Sequence, residues 1–256
     1  MVIKMGKIIA VANQKGGVGK TTTCVNLCAA LTEIGSKVLL CDMDPQGNST
    51  SGMGLDKNND VANIYNVLIE GVDASEAIVK TPYSDILPSN KILSGAGVEL
   101  VTLPDREYIL RNVLAPVREK YEYIMVDCPP SLEMLTLNSL CSADTVLIPV
   151  QCEYYALEGI SDLMSTIRMI KRELNPSLDI EGVLLTMYDS RTNFSAQVAA
   201  EIKKYFKQKT YNVSIPRNVR IAEAPSHGSP VLQYDRASRG SQAYVDLAKE
   251  FVKRNS

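Results

Sequence analysis

Asn13-Gln14-Lys15-Gly16-Gly17-Val18-Gly19-Lys20-Thr21-Thr22 is the stretch that decides how this chain folds. It follows Ile8–Ala12, an apolar run of strand length, and leads directly into Thr21–Ile34, whose apolar residues recur at helical spacing. Strand, glycine-rich loop and helix in that order make a phosphate cradle. The glycines let backbone N–H groups turn inward, and the helix N-terminus adds partial positive charge. The ordinary pattern is G-x-x-x-x-G-K-[ST]. Gly19-Lys20-Thr21 matches its end, while Gln14 occupies the opening glycine position. Gly16, Gly17, Val18, Gly19 and Thr22 then line the phosphates, Lys20 holds the β- and γ-phosphates, and the Thr21 hydroxyl ligates Mg²⁺. Lys15 has no task in the ordinary loop, and its place beside the phosphates argues for one.

Outward from the loop, strand-length apolar runs alternate with helical segments. Val38–Cys41, Tyr123–Val126, Val146–Val150, Gly182–Met187 and Val213–Ile215 read as further strands. Arg106–Glu119, Glu133–Cys141, Leu157–Glu173, Phe194–Lys207 and Ser238–Lys253 read as helices, the first kinked or shortened by Pro116. Near-continuous Val/Ile/Leu content marks strands buried on both faces. The expectation is therefore an α/β fold, a doubly wound and mainly parallel sheet flanked by helices, in one domain spanning residues 1–256. Asn48–Asn59, rich in Ser, Gly and Asn, reads as a mobile loop, and Asp56 to Leu103 is uninformative.

In such sheets ligands bind beyond the carboxyl ends of strands. Two of those ends carry aspartates: Asp42-Met43-Asp44-Pro45-Gln46-Gly47-Asn48 after the second strand, and Asp127-Cys128-Pro129-Pro130 after the third. The first pair suits water activation and metal contact, though the same residues are ordinary in turns. An aspartate closing an apolar strand is the usual second contact to Mg²⁺ in phosphate-loop folds.

Bulk properties narrow the class. The 256 residues, 45% of them hydrophobic, suffice for a core without disulfides, and the six cysteines form no C-x-x-C. Met1 to Lys7 carries no signal pattern, so a soluble, cytoplasmic protein is expected. His227, the single histidine, reads as a loop residue. The net charge of −2 hides an asymmetry: from Lys203 onward eleven Lys/Arg face four Asp/Glu. That imbalance suits either a polyanion-facing surface or solvated helix faces.

These motifs resemble the ParA/Soj family of chromosome- and plasmid-partitioning ATPases, within the ParA/MinD group of deviant phosphate-loop ATPases. Lys15–Thr22 matches the signature K-G-G-x-G-K-T-[TS] completely. The likeness continues through 42–48, 127–131, Pro149-Val150-Gln151-Cys152-Glu153-Tyr154-Tyr155-Ala156-Leu157-Glu158-Gly159 and Ile215-Pro216-Arg217-Asn218-Val219-Arg220. It implies ATP and Mg²⁺ as cofactors and a face-to-face homodimer with nucleotide at its interface, where Lys15 reaches the partner's phosphates. It also implies Asp44 positioning the attacking water near the metal, Asp127 holding Mg²⁺ through water, and Pro216 and Asn218 contacting adenine. Arg191 and Arg220 match DNA-contacting arginines; Arg217, Lys203, Lys204, Arg236 and Arg239 are further candidates for non-specific double-stranded DNA. A ParB-type centromere-binding protein is the implied partner that stimulates hydrolysis, with the protein on the nucleoid.

Three rivals stand beside this reading. A MinD-like membrane ATPase would end in an amphipathic anchor, but 241–256 draws much of its apolar face from alanine and valine, and no membrane contact is expected. An iron–sulfur carrier like the nitrogenase iron protein would need Cys128 and Cys152 as cluster ligands. A nucleotide-binding scaffold without turnover sits poorly with Lys20, Asp44 and Asp127 together.

Overall fold

The computed structural model describes residues 5–59, 61–153 and 156–256, and side chains for all of these except 156–158. Residues 1–4 of the N-terminal stretch, and Tyr154 and Tyr155 of the segment that carries the resemblance, lie outside the described residues.

β1 (Lys7–Val11) runs through the middle of a seven-stranded sheet, between β5 (Tyr123–Asp127) and β6 (Thr145–Gln151). Beyond β5 lie β2 (Val38–Asp42), β4 (Asp85–Leu87) and the edge strand β3 (Val79–Lys80). Beyond β6 lies β7 (Asp179–Thr186). Among the described strands only β3 with β4 is antiparallel. Side chains alternate between two cores: Ile8 and Ala10 enter one, Ile9 and Val11 the other, and all four are buried. A strand covered on both faces has no polar side to show, which is why it reads as an unbroken apolar run.

On the face of Ile9, α1 (Lys20–Glu33) packs against β1 and β5. α2 (Asn48–Gly52) lies beside its first turns. The other face is covered by α3 (Ile64–Ile69), α4 (Ala74–Ala77), α5 (Leu93–Glu99), α6 (Ile109–Leu114), α7 (Met134–Ser142), α8 (Ala156–Glu173) and α9 (Asn193–Phe206). The chain then passes through α10 (Val219–Glu223) and α11 (Val231–Tyr234) to α12 (Arg239–Asn255). α12 returns to α1 and buries Tyr244, Leu247, Ala248 and Phe251, the last edge-on to Tyr123 with ring centres 5.0 Å apart.

From β1 the chain moves to β2 on one side, and from β5 it crosses β1 to β6 on the other. This reversal places the topological switch point beyond the carboxyl end of β1, where ligands settle in doubly wound sheets.

Three local expectations change. Val213–Ile215 forms no strand; it meets the sheet through the Ile215 N–H on the Leu185 carbonyl (2.8 Å) and isolated bridges at Thr210 and Pro216. Asn48–Asn59 is not a loop throughout, because its first five residues form α2 with Ser49 and Thr50 buried. The helix expected over Arg106–Glu119 starts at Ile109, and at Pro116 it tightens into a 3₁₀ turn, Ala115–Lys120.

Candidate active site

The loop after β1 is shaped by two glycines in left-handed backbone, Gly17 at φ 74° and Gly19 at φ 92°. Gly19 caps α1 without any side-chain hydrogen bond, and no acidic residue sits in the first turn. The free N–H groups and the helix dipole therefore face the crevice unopposed. Two tethers fix the loop. Asn13 Nδ2 donates to the Pro149 carbonyl at the end of β6 (2.8 Å), and the Thr186 hydroxyl at the end of β7 donates to the Val18 carbonyl (2.8 Å). Neither tether announces itself in the sequence. A polar residue closing a buried run, such as Thr186, is the one signal that could have been followed.

Lys20 is only 7% exposed, and its Nζ donates to the Lys15 carbonyl at 3.2 Å. Burial pulls its pKa below the usual lysine value, against the opposing pull of Asp127, Cys128 and Asp44. A buried ammonium that lacks a carboxylate in salt-bridge contact is ready for an anion.

Asp42 and Asp127 close neighbouring strands and pair directly in register, both fully buried. Their surroundings differ. Asp42 Oδ2 accepts from the Thr50 N–H and hydroxyl, both at 2.8 Å, and Oδ1 accepts from the Asp44 N–H at 3.2 Å. Asp127 Oδ2 accepts from the Ser49 hydroxyl at 2.7 Å, while its Oδ1 is buried without a hydrogen-bond partner. Burial pushes both carboxyls above the ordinary range. At Asp42 the charge of Asp127 adds to this; at Asp127 the hydroxyls of Ser49 and Thr21 work against it. Asp42, read from sequence as half of a chemical pair, is thus spent inside the protein.

Asp44 is 8% exposed, with Oδ1 accepting from the Gln46 N–H at 2.9 Å and its carbonyl accepting from the Ser89 hydroxyl at 2.8 Å. The turn closes at Gly47 (φ 60°), where a Cβ would stand 2.8 Å from the Ser89 carbonyl oxygen. The residues fit Mg²⁺: an orphaned carboxylate oxygen on Asp127 beside the Thr21 hydroxyl is the partial oxygen set that Mg²⁺ completes with water and phosphate. Among the described residues no three His, Cys, Asp or Glu converge on one point, so a resident all-protein metal cage is absent there.

Lys15 Nζ lies 2.7 Å from Glu153 Oε2, just past the end of β6. Pro216 bridges Tyr188 just past β7, and the Arg217 N–H donates to the Tyr188 carbonyl at 3.2 Å. Asn218 caps α10 by accepting from the Arg220 N–H at 2.8 Å. Pro216 therefore lies beside the end of β7, while the Asn218 side chain sits close to Gly240 at the start of α12. The same bridge brings Arg217 near Asp189, which Arg191 grips through two side-chain nitrogens at 2.9 and 2.7 Å. Arg220 is half-exposed and paired with Glu223 (2.9 Å) and Asp235 (3.2 Å). All six cysteines are buried and free, and burial pushes the Cys128 thiol up to about 12. His227 sits in the 3₁₀ turn Ala224–His227 and stacks on Tyr234 at 4.8 Å.

Comparison with known proteins now decides the family. A family model described as an AAA domain matches residues 6–180. The sporulation initiation inhibitor protein Soj of Bacillus subtilis is 54% identical over 96% of this chain and 98% of its own length. The chromosome partitioning protein ParA of Myxococcus xanthus is 49% identical over 98% of this chain and 90% of its own. The chain belongs to the ParA/Soj family of chromosome-partitioning ATPases. Among solved structures, cobyrinic acid a,c-diamide synthase from Mycobacterium smegmatis, crystallised with an ATP analog and magnesium, superposes with a TM-score of 0.85 at 37% identity, covering 97% of this chain and 95% of that one. Its name describes a different reaction from partitioning. The more similar sequences carry the partitioning names, and this ParA/Soj chain shares with the synthase the fold.

Proposed function

We propose that this ATPase closes into a face-to-face homodimer when Mg²⁺-ATP is bound, holds double-stranded DNA without sequence preference in that form, and releases it on hydrolysis stimulated by a ParB-type partner. The cycle would move a chromosome or plasmid over the nucleoid. One observation carries the nucleotide reading: the buried Lys20, which makes no salt bridge among the described residues, and the orphaned Asp127 oxygen converge on an uncapped helix N-terminus.

In this reading the N–H groups of Gly16, Gly17, Val18, Gly19, Lys20, Thr21 and Thr22 hold the phosphates. Lys20 neutralises the β- and γ-oxygens, and Pro216 and Asn218 flank the adenine. Mg²⁺, when bound, spreads the phosphate charge; Thr21, Asp127 and Asp44 are the residues to hold it or its water. Asp44 orients the attacking water, whose oxygen bonds to the γ-phosphorus as the bond to the β-bridging oxygen breaks and whose proton passes to the phosphate oxygens, giving ADP and hydrogen phosphate. Lys15 from the second subunit stabilises charge on the transferring group only after closure, which ties turnover to dimerisation.

Arg191, Arg217 and Arg220 form the proposed DNA contact. Their carboxylate partners Asp189, Glu223 and Asp235 would exchange for phosphate, so binding should be weak singly and steep in salt. The MinD-like alternative loses support at α12, whose apolar face lies against α1 and Tyr123. No described helix is long and apolar enough to cross a membrane. The test is ATP-dependent retention on duplex DNA set beside liposome co-sedimentation. Retention on DNA that falls steeply between low and moderate salt, and is weakened severalfold by Arg191→Glu or Arg220→Glu, is expected. ATP-dependent lipid binding without DNA retention would overturn the proposal. Lys20→Ala should abolish ATP binding; undiminished affinity would remove the loop from the site.

A further inference from the structure

Lys15 is held twice by the same short piece of chain. Its backbone N–H donates to Asn13 Oδ1 at 3.0 Å, and Asn13 Nδ2 donates to the Pro149 carbonyl near the end of β6. Its side chain meets Glu153 four residues further on, Nζ to Oε2 at 2.7 Å. A tight turn, with the Glu153 N–H donating to the Gln151 carbonyl at 2.8 Å, carries this residue just past the end of β6. The two side chains are 34% and 45% exposed, so the pair sits at the rim of the crevice, open to anything that approaches.

We infer that Glu153 is a positioning residue that parks Lys15 in its own subunit, so that closure of a second subunit must first open this ion pair. The inference rests on the proposed use of Lys15 across the dimer. A partner's phosphates would compete with Glu153 for the ammonium, so the 2.7 Å contact gives way as closure proceeds. Leaving a carboxylate is favoured when the new site carries the larger charge of a triphosphate, and less so when it holds ADP. Glu153 thereby sharpens the distinction between ATP and ADP at the moment of closure. Once vacated it returns to water at little cost, being half-exposed already.

A rim ion pair is weak, equivalent to a factor of about two to five in an equilibrium constant. Two such pairs open per dimer, so the factor enters squared. Glu153→Gln should lower the dissociation constant of the dimer formed with a non-hydrolysable ATP analogue and Mg²⁺ by about 4- to 25-fold. The ADP-bound chain should stay monomeric. A second readout needs no dimer: the rate of Lys15 Nζ acetylation in the ADP-bound monomer, followed by mass spectrometry, should rise about two- to fivefold in Glu153→Gln as the amine is freed. A dimer constant that is unchanged or weakened overturns the parking role, whether or not acetylation rises; unchanged acetylation overturns it as well. Lys15→Ala, measured alongside, tests the underlying reading separately. If it closes as tightly as the native chain, Lys15 does not act in trans, whatever Glu153 does.

Discussion

The ends of β2 and β5 look alike in sequence and do different work. Each finishes an apolar strand with an aspartate, and Asp42 and Asp127 face one another across a parallel register, equally buried. At the end of β2 both oxygens are engaged, by Thr50 and the Asp44 N–H, so Asp42 fixes α2 and the turn that carries Asp44. At the end of β5 one oxygen is satisfied by Ser49 and the other is left over. A buried polar atom without a partner is costly unless something else completes it. The contrast separates a carboxylate whose oxygens are both engaged within the protein from one that, in the proposed function, serves the ligand.

The largest effect should come from the open end. Asp127→Asn keeps the shape and removes the charge. Mg²⁺-dependent ATP hydrolysis should fall by about 100-fold or more, while unfolding free energy without nucleotide shifts by less than about 1 kcal/mol. A large loss of stability with hydrolysis retained would make Asp127 the structural member of the pair. Asp44→Ala, on the turn that Asp42 secures, should bind the nucleotide normally and slow turnover by about 10²-fold, leaving closed dimers on DNA. Rapid turnover in steady-state assays would take Asp44 out of the chemistry.

Asp42→Ala should act in the opposite sense to Asp127→Asn. It strands the Thr50 and Asp44 donors and costs about 3 kcal/mol in urea unfolding. Its residual hydrolysis should track the folded fraction, and normal stability would erase the contrast. The smallest effects belong to the two hydroxyls. Thr50→Val, which removes a donor to Asp42, should cost about 1–2 kcal/mol. Ser49→Ala should cost about 1 kcal/mol or less, because Asp127 is already half-unpaired. A reversed order would place the engaged carboxylate at β5 instead.

How much of this was legible follows from how local each signal is. The order β1, loop, α1 is written in adjacent residues, as are the apolar runs of β2, β5, β6 and β7. α2 was not legible because Asn48-Ser49-Thr50-Ser51-Gly52 has turn composition; the helix forms because its hydroxyls reach Asp42 and Asp127, contacts set by tertiary packing. β3 and β4, of two and three residues, are too short for any periodicity to register. Val213–Ile215 has strand composition but makes only isolated bridges. Glu153 and Thr186 meet the loop from 138 and 168 residues away; the polar residue that closes the buried run of β7 is a local hint for Thr186, and Glu153 carries none.

The central claim is that the site is completed by a second subunit. Sedimentation velocity of the native chain without nucleotide, with ADP and with Mg²⁺-ATP, each with and without duplex DNA, tests it most directly. The account predicts monomers in the first two states and a dimer with ATP that alone co-sediments with DNA, lost in Lys15→Ala. A chain that hydrolyses ATP fully while remaining monomeric, or that binds DNA equally in every state, would contradict it.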